Sequence, residues 1–508
     1  MKLVSGKLMA QIDKFTINNI GIPGAVLMEN AGKGAFIQFL EDYAPDKNDK
    51  FLIICGKGNN GGDGFVISRY LFNNGYKNLN VILLTEPENL KGDAKLNYEI
   101  AKNFNIKIEV IIEEKEFKNF MKNNRFDYIF DAILGTGLNS EVRDFYKSII
   151  TSINETESVK IAIDIPSGLC SERGIPLGAC IKANSTYTFG LKKIGLSTFP
   201  GVLFAGEVKV IDISIPENLP YKITNFEIEL NDIRKIYKKR EKHYHKGNFG
   251  HTLVFGGSTG FSGAVIMASK SALKAGCGLV TAIIPEEIND IFEASLPEAM
   301  SYPVKIKRFY ELDEIVDFIN SKDSILIGPG LGKSKDTKNF LFELLENIKI
   351  PLVLDADALN ILSEDLNYLK SLKIPKILTP HPGEFSRLTR LSIKEIQENR
   401  VNLSKEFAKE FNAIIVLKGY RTVITDGYNC YICPKGDSAL ATGGSGDVLG
   451  GIIASLISQK YSLIDSAIFG VYLHGLVGEI CSKKFTSETV TACDLIENLH
   501  YGFEIIGS

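Results

Sequence analysis

The spacing of apolar residues along the chain predicts two successive α/β segments. In the first, residues 8–20 and 24–43 carry apolar side chains at helical intervals, and the short apolar run 51–55 ends in glycines, as a buried strand does. Later apolar runs alternate with amphipathic stretches, which is typical of a parallel sheet covered by helices. These runs are residues 79–84, 128–134, 160–165 and 207–215.

A second series of strand-like runs begins near residue 251, after a polar and basic stretch at residues 231–246 that we interpret as a solvated linker. The two halves share no fixed repeat, so we expect two different folds. We predict an α/β protein with an N-terminal Rossmann-like doubly wound domain over 1–222 and a second α/β domain over 235–508. The runs of the second half are residues 251–255, 279–284, 324–327, 352–354, 377–379 and 414–417.

Composition and charge narrow the classes of partner. The chain has 508 residues, enough for two cores, and a net charge of -3 that offers no basic field for nucleic acid or an anionic membrane. No run of eighteen apolar residues occurs, and charged residues interrupt the first twenty-one positions. We therefore expect a cytoplasmic protein with neither a nucleic-acid nor a membrane partner, and we interpret its scattered cysteines as reduced thiols.

Three further patterns are interpreted as structural. Cys430 and Cys433 form one CxxC pair without a second pair for zinc. His243 and His245 lie in the basic stretch and lack a third ligand. Residues 328–334 resemble a P-loop, but the first glycine that the motif requires is replaced by Ile327, so we reject a Walker-type site.

The glycine-rich segment 56–64 follows a predicted strand and opens a helix, a geometry that cradles an anion. A dinucleotide dehydrogenase remains one interpretation, with Glu86 as the acidic residue of the second strand. A plain Rossmann loop does not require Asn59, Asn60 and Asp63, however, and we interpret these three as ligands. A turn built from Asn and Gly by chance is the alternative.

Two more strand ends carry polar residues and should meet the glycine loop in one crevice. Asn60, Asp131 and Ser167 offer hard oxygen ligands that suit an alkali cation beside a phosphate. Asp164 is a candidate proton carrier. The alternative interpretation makes Asp131 and Asp164 caps of turns or helices.

These motifs, GKGNNGGDG, FDAILGTGL and AIDIPSGL, resemble the NAD(P)HX epimerase family, or YjeF N-terminal domain, over about the first 215 residues. The resemblance implies an enzyme that interconverts the R and S epimers of hydrated NADH or NADPH and binds potassium through Asn60, Asp131 and Ser167. It also implies that the hydrate is contacted by Asn59, Asn60, Gly61, Gly62, Asp63, Gly135, Thr136, Gly137, Leu138, Asn139, Ser140, Glu141 and Asp164.

The strongest local signal of the second half is the segment 442–451, in which two glycine pairs flank Asp447 before an apolar helix. Backbone amides at such a helix start can neutralise a transferring phosphoryl group, and Asp447 can accept a hydroxyl proton. The alternative is a glycine-rich cap in which Asp447 only caps the helix.

Together with the motifs at 246–250, 256–264, 355–360, 381–384 and 418–422, this segment resembles the ADP-dependent NAD(P)HX dehydratase family, the YjeF C-terminal domain with a ribokinase-like fold. The resemblance implies phosphorylation of the hydrate by ADP with Mg²⁺, loss of phosphate, and Asp447 as general base. It places Ala264, Gly330, His381 and Asp447 at the hydrate, and places Lys418, Gly419, Tyr420, Arg421, Thr422 and Gly446 at the adenine nucleotide.

The combined interpretation is a bifunctional repair enzyme that acts on NADHX and NADPHX, and we also expect a homo-oligomer. Two rivals stay open. The second half could be a sugar or vitamin kinase, which would release a stable phosphoester. The first half could be a catalytically idle module that binds a cofactor, although the presence of Asp164 beside the glycine loop argues against this.

Overall fold

The chain folds as two compact units, Met1–Asn225 and Phe226–Ser508, both of the α/β class. The computed structural model describes residues 1–305 and 312–508. Each unit is built on its own mainly parallel sheet, as the alternation of apolar runs and amphipathic stretches predicts.

The sheet of the first unit has the strand order β4-β3-β2-β5-β6-β7-β9, and its neighbouring strands are parallel. The order reverses between β2 and β5, which makes this a doubly wound, Rossmann-like sheet with its switch point at that pair. The pairing of Cys55 with Ala132 brings the carboxyl ends of β2 and β5 level. The strands of this sheet are β2 Phe51–Cys55, β3 Leu79–Leu83, β4 Ile108–Val110, β5 Tyr128–Ala132, β6 Val159–Ile163, β7 Ser185–Phe189 and β9 Glu207–Ile211. Two further strands of the unit, β1 Lys2–Val4 and β8 Lys192–Lys193, lie outside this sheet and pair with each other.

Helices cover both faces of this sheet. Phe39 packs against Phe51 and Phe130 on one face, whereas Phe117 and Ile149 belong to the apolar cluster on the other. A π-helical segment, Thr16–Ile20, continues the first helix and ends at Gly21. The helices are α1 Gly6–Phe15, α2 Gly24–Tyr43, α3 Asn59–Asn73, α4 Gly92–Asn103, α5 Glu114–Asn123, α6 Asp144–Asn154 and α7 Val202–Ala205.

The sheet of the second unit runs β13-β12-β11-β14-β15-β16-β17-β18-β19. It is parallel as far as β17 and ends in an antiparallel hairpin of β18 and β19. The strands are β10 Asn225–Glu227, β11 His251–Phe255, β12 Leu279–Pro285, β13 Met300–Val304, β14 Ser324–Ile327, β15 Leu352–Leu354, β16 Lys376–Leu378, β17 Ile414–Leu417, β18 Val423–Thr425 and β19 Cys430–Ile432.

Two apolar helices, α18 and α19, supply much of the core of the second unit. Leu463–Phe485 is long and apolar enough to cross a membrane by length and composition, but 72% of its most apolar window is buried inside the protein, as in a core helix. The helices are α8 Leu230–Ile236, α9 Ser262–Lys274, α10 Asn289–Ser295, α11 Leu312–Asn320, α12 Lys335–Asn347, α13 Ala356–Leu362, α14 Leu366–Ser371, α15 Pro382–Thr389, α16 Ile393–Glu398, α17 Arg400–Phe411, α18 Ser445–Ser458, α19 Leu463–Phe485, α20 Ala492–Glu497 and α21 Leu499–Gly507.

The predicted solvated linker at residues 231–246 is wrong in its first part, because residues 230–236 form α8. Ile233 is fully buried, and α8 packs against α19 and α21. The many basic side chains of this stretch conceal the apolar positions Leu230, Ile233 and Ile236, which recur every three residues and face the core.

Candidate active sites in the two units

The first unit contains a cavity of about 820 Å³ at the carboxyl ends of β2, β5 and β6. Because carboxyl ends of neighbouring parallel strands meet at one edge of a sheet, the loops that follow these three strands come together there. Most of the residues that the resemblance places at the hydrate line this cavity. They are Asn59, Asn60, Asp63, Gly135, Thr136, Gly137, Leu138, Asn139, Ser140 and Asp164.

Three other residues of that set do not line the cavity. A Cβ atom at Gly61 would lie 2.0 Å from the carbonyl oxygen of Gly56, so this glycine allows the loop to fold closely on itself. A Cβ atom at Gly62 would clash with the side chain of Met28, so this glycine allows the two residues to pack closely. Glu141 is half-exposed and forms an ion pair with Arg143 at 3.0 Å.

Asp164 follows β6 and is held in a left-handed backbone conformation with φ of 63°. Its Oδ1 accepts hydrogen bonds from Thr188 Oγ1 at 3.2 Å and from the backbone N–H of Phe189 at 3.1 Å. The ammonium of Lys193, whose side chain is fully buried, donates a third hydrogen bond to the same oxygen. The carboxylate of Asp164 is thus fixed in place, and its negative charge is stabilised by three donors.

Asp13 and Lys193 also line the cavity, and neither is predicted from the sequence. Burial raises the pKa of Asp13 to about 6, with Lys193 acting in the opposite direction and Asp164 adding to the increase. Burial and the charge of Asp164 also raise the pKa of Asp63 well above its usual range, against the effect of Lys193. The buried ammonium of Lys193 therefore interacts electrostatically with three carboxyl groups, those of Asp13, Asp63 and Asp164.

The three predicted potassium ligands are all buried beside this cavity. Both side-chain polar atoms of Asn60 are buried without a hydrogen-bond partner among the described residues. Asp131 accepts hydrogen bonds from Ser167, at 2.7 Å from the backbone N–H and at 2.5 Å from the hydroxyl. Burial raises the pKa of Asp131 to about 6 despite these bonds. Two features fit a bound alkali cation: the buried Asn60 amide oxygen that has no partner among the described residues, and a carboxylate, Asp131, that is costly to bury as an anion.

In the second unit, the segment 442–451 forms the start of α18. Gly444 adopts a left-handed conformation with φ of 87° before the first turn, which contains Asp447. Burial raises the pKa of Asp447 to about 7, and the carboxylate of Asp355 acts in the same direction, whereas Lys418 lowers it. Glu384 and Asp357 add smaller increases. A carboxyl group that titrates near neutrality at a helix N-terminus is suited to accept a hydroxyl proton.

Lys418 is the cation at the centre of this acidic site. Its Nζ donates a hydrogen bond of 2.7 Å to Asp355 Oδ1 and lies 3.9 Å from Glu384 Oε2. Burial lowers the pKa of Lys418, but Asp355 and Glu384 outweigh burial and raise it above its ordinary value. Burial raises the pKa of Glu384 to about 7. Asp355 and Glu384 lie in the motifs at residues 355–360 and 381–384, but the sequence alone gives neither residue a role.

The residues that the resemblance places at the hydrate in this unit occupy three places. Gly330 and Ala264 are neighbours, since a Cβ atom at Gly330 would lie 3.1 Å from Ala264 Cβ. His381 caps α15, where its Nδ1 accepts a hydrogen bond of 3.0 Å from the N–H of Gly383, and its Nε2 lies 3.4 Å from Glu384. The charge of Glu384, which lies beside His381, also acts on Asp447 in the first turn of α18.

Two of the predicted nucleotide residues meet at the acidic site, since a Cβ atom on Gly446 would lie 3.3 Å from Lys418 Nζ. The others, Gly419, Tyr420, Arg421 and Thr422, form a turn after β17. Thr422 donates a hydrogen bond of 2.8 Å to the carbonyl of Gly419, and Arg421 contacts Glu227 at 3.2 Å. Tyr420 is 48% exposed.

Comparison with known proteins gives matches over both units. The family model described as NAD(P)H-hydrate dehydratase matches residues 252–500. The family model described as YjeF-related protein N-terminus matches residues 24–195.

The bifunctional NAD(P)H-hydrate repair enzyme of Moorella thermoacetica is 38% identical over 99% of this chain and 96% of its own length. The protein of the same description from Thermofilum pendens is 34% identical over 98% of this chain and 95% of its own length. Among solved structures, an ADP/ATP-dependent NAD(P)H-hydrate dehydratase from Bacillus subtilis, co-crystallised with ATP and Mg²⁺, is 30% identical. It covers 56% of this chain and 99% of its own, with a TM-score of 0.50.

Proposed function

Because this chain belongs to the family of bifunctional NAD(P)H-hydrate repair enzymes, we propose that the two sites described above carry out its two reactions. The chain is an enzyme that repairs hydrated NADH and NADPH. Its first unit is a YjeF-type epimerase that interconverts the R and S hydrates, and its ribokinase-like second unit is a nucleotide-dependent dehydratase. The assignment of each reaction to named side chains is our proposal.

The epimerase reaction takes place in the 820 Å³ cavity of the first unit. The glycine loop and the start of α3 present backbone N–H groups to the phosphates of the hydrate. Asp164 carries a proton to or from the reacting carbon's hydroxyl, because its carboxylate lines the cavity and is held there by Lys193, Thr188 and Phe189.

Potassium is the proposed cofactor of this unit, held by Asn60, Asp131 and Ser167. The support is the pair of unpartnered polar atoms on the buried Asn60 and the buried carboxylate of Asp131. When bound, potassium supplies positive charge for the phosphate groups of the hydrate. Asp131 holds Ser167 in place by accepting hydrogen bonds from both its N–H and its hydroxyl.

The dehydratase reaction takes place at the start of α18. Asp447 accepts the proton of the hydrate's hydroxyl while that oxygen bonds to the terminal phosphorus of ADP, and AMP leaves. The new phosphate group then leaves as inorganic phosphate, the adjacent ring carbon loses a proton, and the double bond formed between these two carbons restores the dihydronicotinamide. The observation that carries this assignment is the buried Asp447, with its pKa of about 7, in the first turn of a fourteen-residue helix.

Mg²⁺ enters this site with the nucleotide. The carboxyl groups of Asp355, Glu384 and Asp447 act on the ammonium of Lys418, so acidic groups outnumber this cation in the site. Hard carboxylate oxygens of this kind suit Mg²⁺, which shields the phosphate oxygens of the nucleotide when it is bound. Lys418 neutralises Asp355 directly, and Gly446 leaves space beside that ammonium for a phosphate oxygen.

Two properties of the whole protein belong to the same proposal. We propose a homo-oligomer, which light scattering of the purified chain will test. We also propose that the enzyme acts in the cytoplasm, where NADH and NADPH are used, and fractionation of cells that express a tagged chain will test this.

The function is tested by the return of dihydronicotinamide absorbance from separated R and S hydrates of NADH, with and without ADP. Complete recovery from both epimers in the presence of ADP is the expected result. Recovery from one epimer only would show that the first unit does not interconvert the two epimers. A stable phosphorylated hydrate without recovery would make the second unit a kinase.

A further inference from the structure

Asp13 is a carboxyl group of the epimerase cavity for which the reaction described so far has no use. It comes from α1, and it lines the cavity together with Asp164 and Lys193. It also lies before residue 24, where the match to the YjeF family model begins. One side-chain oxygen, Oδ1, is buried without a hydrogen-bond partner among the described residues.

The hydrogen-bond environments of Asp13 and Asp164 differ. Asp164 accepts three hydrogen bonds on one oxygen, including one from an ammonium, and this stabilises its anion. Asp13 has a buried oxygen without a donor, and burial and the nearby Asp164 raise its pKa to about 6 against the effect of Lys193. Pairs of carboxyl groups whose surroundings differ in this way divide the roles of acid and base in other enzymes.

The chemistry of the hydrate requires such a pair. Water adds to a ring double bond conjugated with nitrogen, so the hydroxyl is placed on the carbon bonded to that nitrogen. Inversion at this carbon can proceed by reversible cleavage of its bond to nitrogen. One group must then take the proton of the hydroxyl, and another must give a proton to the nitrogen that leaves.

Lys193 cannot be the second group. Its side chain is fully buried, and its three N–H bonds are used by Asp164, Thr188 Oγ1 and the carbonyl of Phe189. Asp63 is a weaker candidate than Asp13, because only 7% of its surface is exposed. Asp13 is less deeply buried and presents a side chain to the cavity from α1, an element that carries none of the other acids in it.

We propose that Asp13 is a second catalytic residue of the epimerase and acts as the acid to Asp164's base. Asp164 takes the hydroxyl proton as the carbon–nitrogen bond breaks, and Asp13 gives its proton to the ring nitrogen, which keeps the electron pair of that bond. The open-chain aldehyde rotates, and nitrogen attacks its other face. Asp13 recovers its proton from nitrogen, and Asp164 returns the other proton to the oxygen, so no oxidant or reductant is needed.

This inference rests on the proposed epimerase function, and the test separates the two. The rate at which purified R hydrate converts to S hydrate is followed by chromatography, without ADP, for the full-length wild type, Asp13→Asn and Asp13→Glu. We expect Asp13→Asn to lower the turnover number by about 10²- to 10⁴-fold, the usual contribution of a general acid, with little change in KM. Asp13→Glu, which keeps an acid, should recover part of the lost rate.

A purely structural role predicts a different result for thermal unfolding. Because Asp13 buries an oxygen without a donor, Asp13→Asn should unfold at the same or a higher temperature than the wild type. Glu157→Gln, which removes an exposed carboxylate of the same unit, serves as the control and should leave both rate and stability unchanged.

Three outcomes would overturn the proposal. They are a wild-type rate in folded Asp13→Asn, a large loss of rate in Asp63→Asn without one in Asp13→Asn, and a lowered melting temperature in Asp13→Asn that Asp13→Glu does not share. If Asp13→Asn does not fold, Asp13→Glu decides the matter, and a fully inactive but folded Asp13→Glu contradicts the role. Absence of epimerisation in the wild type would instead remove the epimerase function itself.

Discussion

Lys418 and Asp355 are joined by a hydrogen bond of 2.7 Å between the ammonium and the carboxylate, at the centre of the dehydratase site. Asp355 is 1% exposed, so its charge depends on Lys418 for compensation. A buried carboxylate that loses the cation paired with it is strongly destabilising.

Lys418→Met should therefore lower the free energy of unfolding of the second unit by about 3–5 kcal/mol. Urea denaturation of the full chain, followed by circular dichroism because the chain has no tryptophan, measures the effect. The matched control is Lys370→Met, which breaks an exposed ion pair with Glu410 and should cost less than about 1 kcal/mol. Equal effects of the two substitutions would show that Lys418 is not needed to neutralise the site.

The dehydratase rate should depend on the ionisation of Asp447. The base must be ionised to accept a proton, so kcat/KM with the S hydrate and ADP should fall about tenfold per pH unit on the acid side of its pKa of about 7. Asp447→Asn should lose about 10²- to 10⁴-fold in rate and should lose this acid limb. Glu406→Gln, at an exposed position of the same unit, should behave as the wild type.

Asp447→Asn should raise the stability of the protein, although it lowers the rate. The folded chain keeps the proton of Asp447 up to about pH 7, whereas the unfolded carboxyl group ionises near 3.8. Stability of the wild type therefore falls as the pH rises between these values. Asp447→Asn should be more stable than the wild type in thermal unfolding at pH 8 and equal to it below pH 3.8. A loss of stability at pH 8 would contradict the assigned pKa.

Asp164→Asn should abolish epimerisation and also destabilise the first unit. Asn tolerates the left-handed conformation of residue 164, but the fully buried ammonium of Lys193 loses its anionic partner. The double variant Asp164→Asn/Lys193→Met should regain stability without regaining activity, which a double-mutant cycle of unfolding free energies measures. Additive effects of the two substitutions would show that the pair is not coupled.

Potassium should stabilise the first unit. The melting temperature of the full chain should be higher in potassium chloride than in choline chloride at the same ionic strength, because the cation compensates buried oxygens of Asn60 and Asp131. Asn60→Ala should remove this difference. The control is Asn124→Ala, at a partly buried position whose amide donates to the carbonyl of Phe120. Identical melting in both salts for the wild type would contradict a potassium site.

The sequence predicts the strands of both sheets best where they are continuously apolar, as at Phe51–Cys55, which has the predicted bounds. Strands such as Ser185–Phe189 and Val423–Thr425 are not predicted. The first contains four hydroxyl-bearing residues, and the second has only three residues. Their burial depends on tertiary contacts that no local pattern shows.

The glycine loops and Asp164 are predictable because each follows an apolar strand and so falls at the carboxyl edge of a sheet. Asp13 and Lys193 are not. Asp13 lies within an amphipathic helix, where a carboxylate is usually solvated, and Lys193 follows Lys192 in what appears in the sequence as an ordinary basic pair. Only the packing of α1 and β8 near β6 brings them to the cavity.

The left-handed backbone at Asp164 also limits how the epimerase can change during evolution. Asp, Asn and Gly adopt a φ near 63° most readily, and Asp alone among them has a carboxylate. A single mutation to Asn or Gly at this position can therefore silence the first reaction while it leaves the path of the backbone intact. Lineages that no longer need epimerisation can lose it at this residue and keep a functional dehydratase in the same polypeptide.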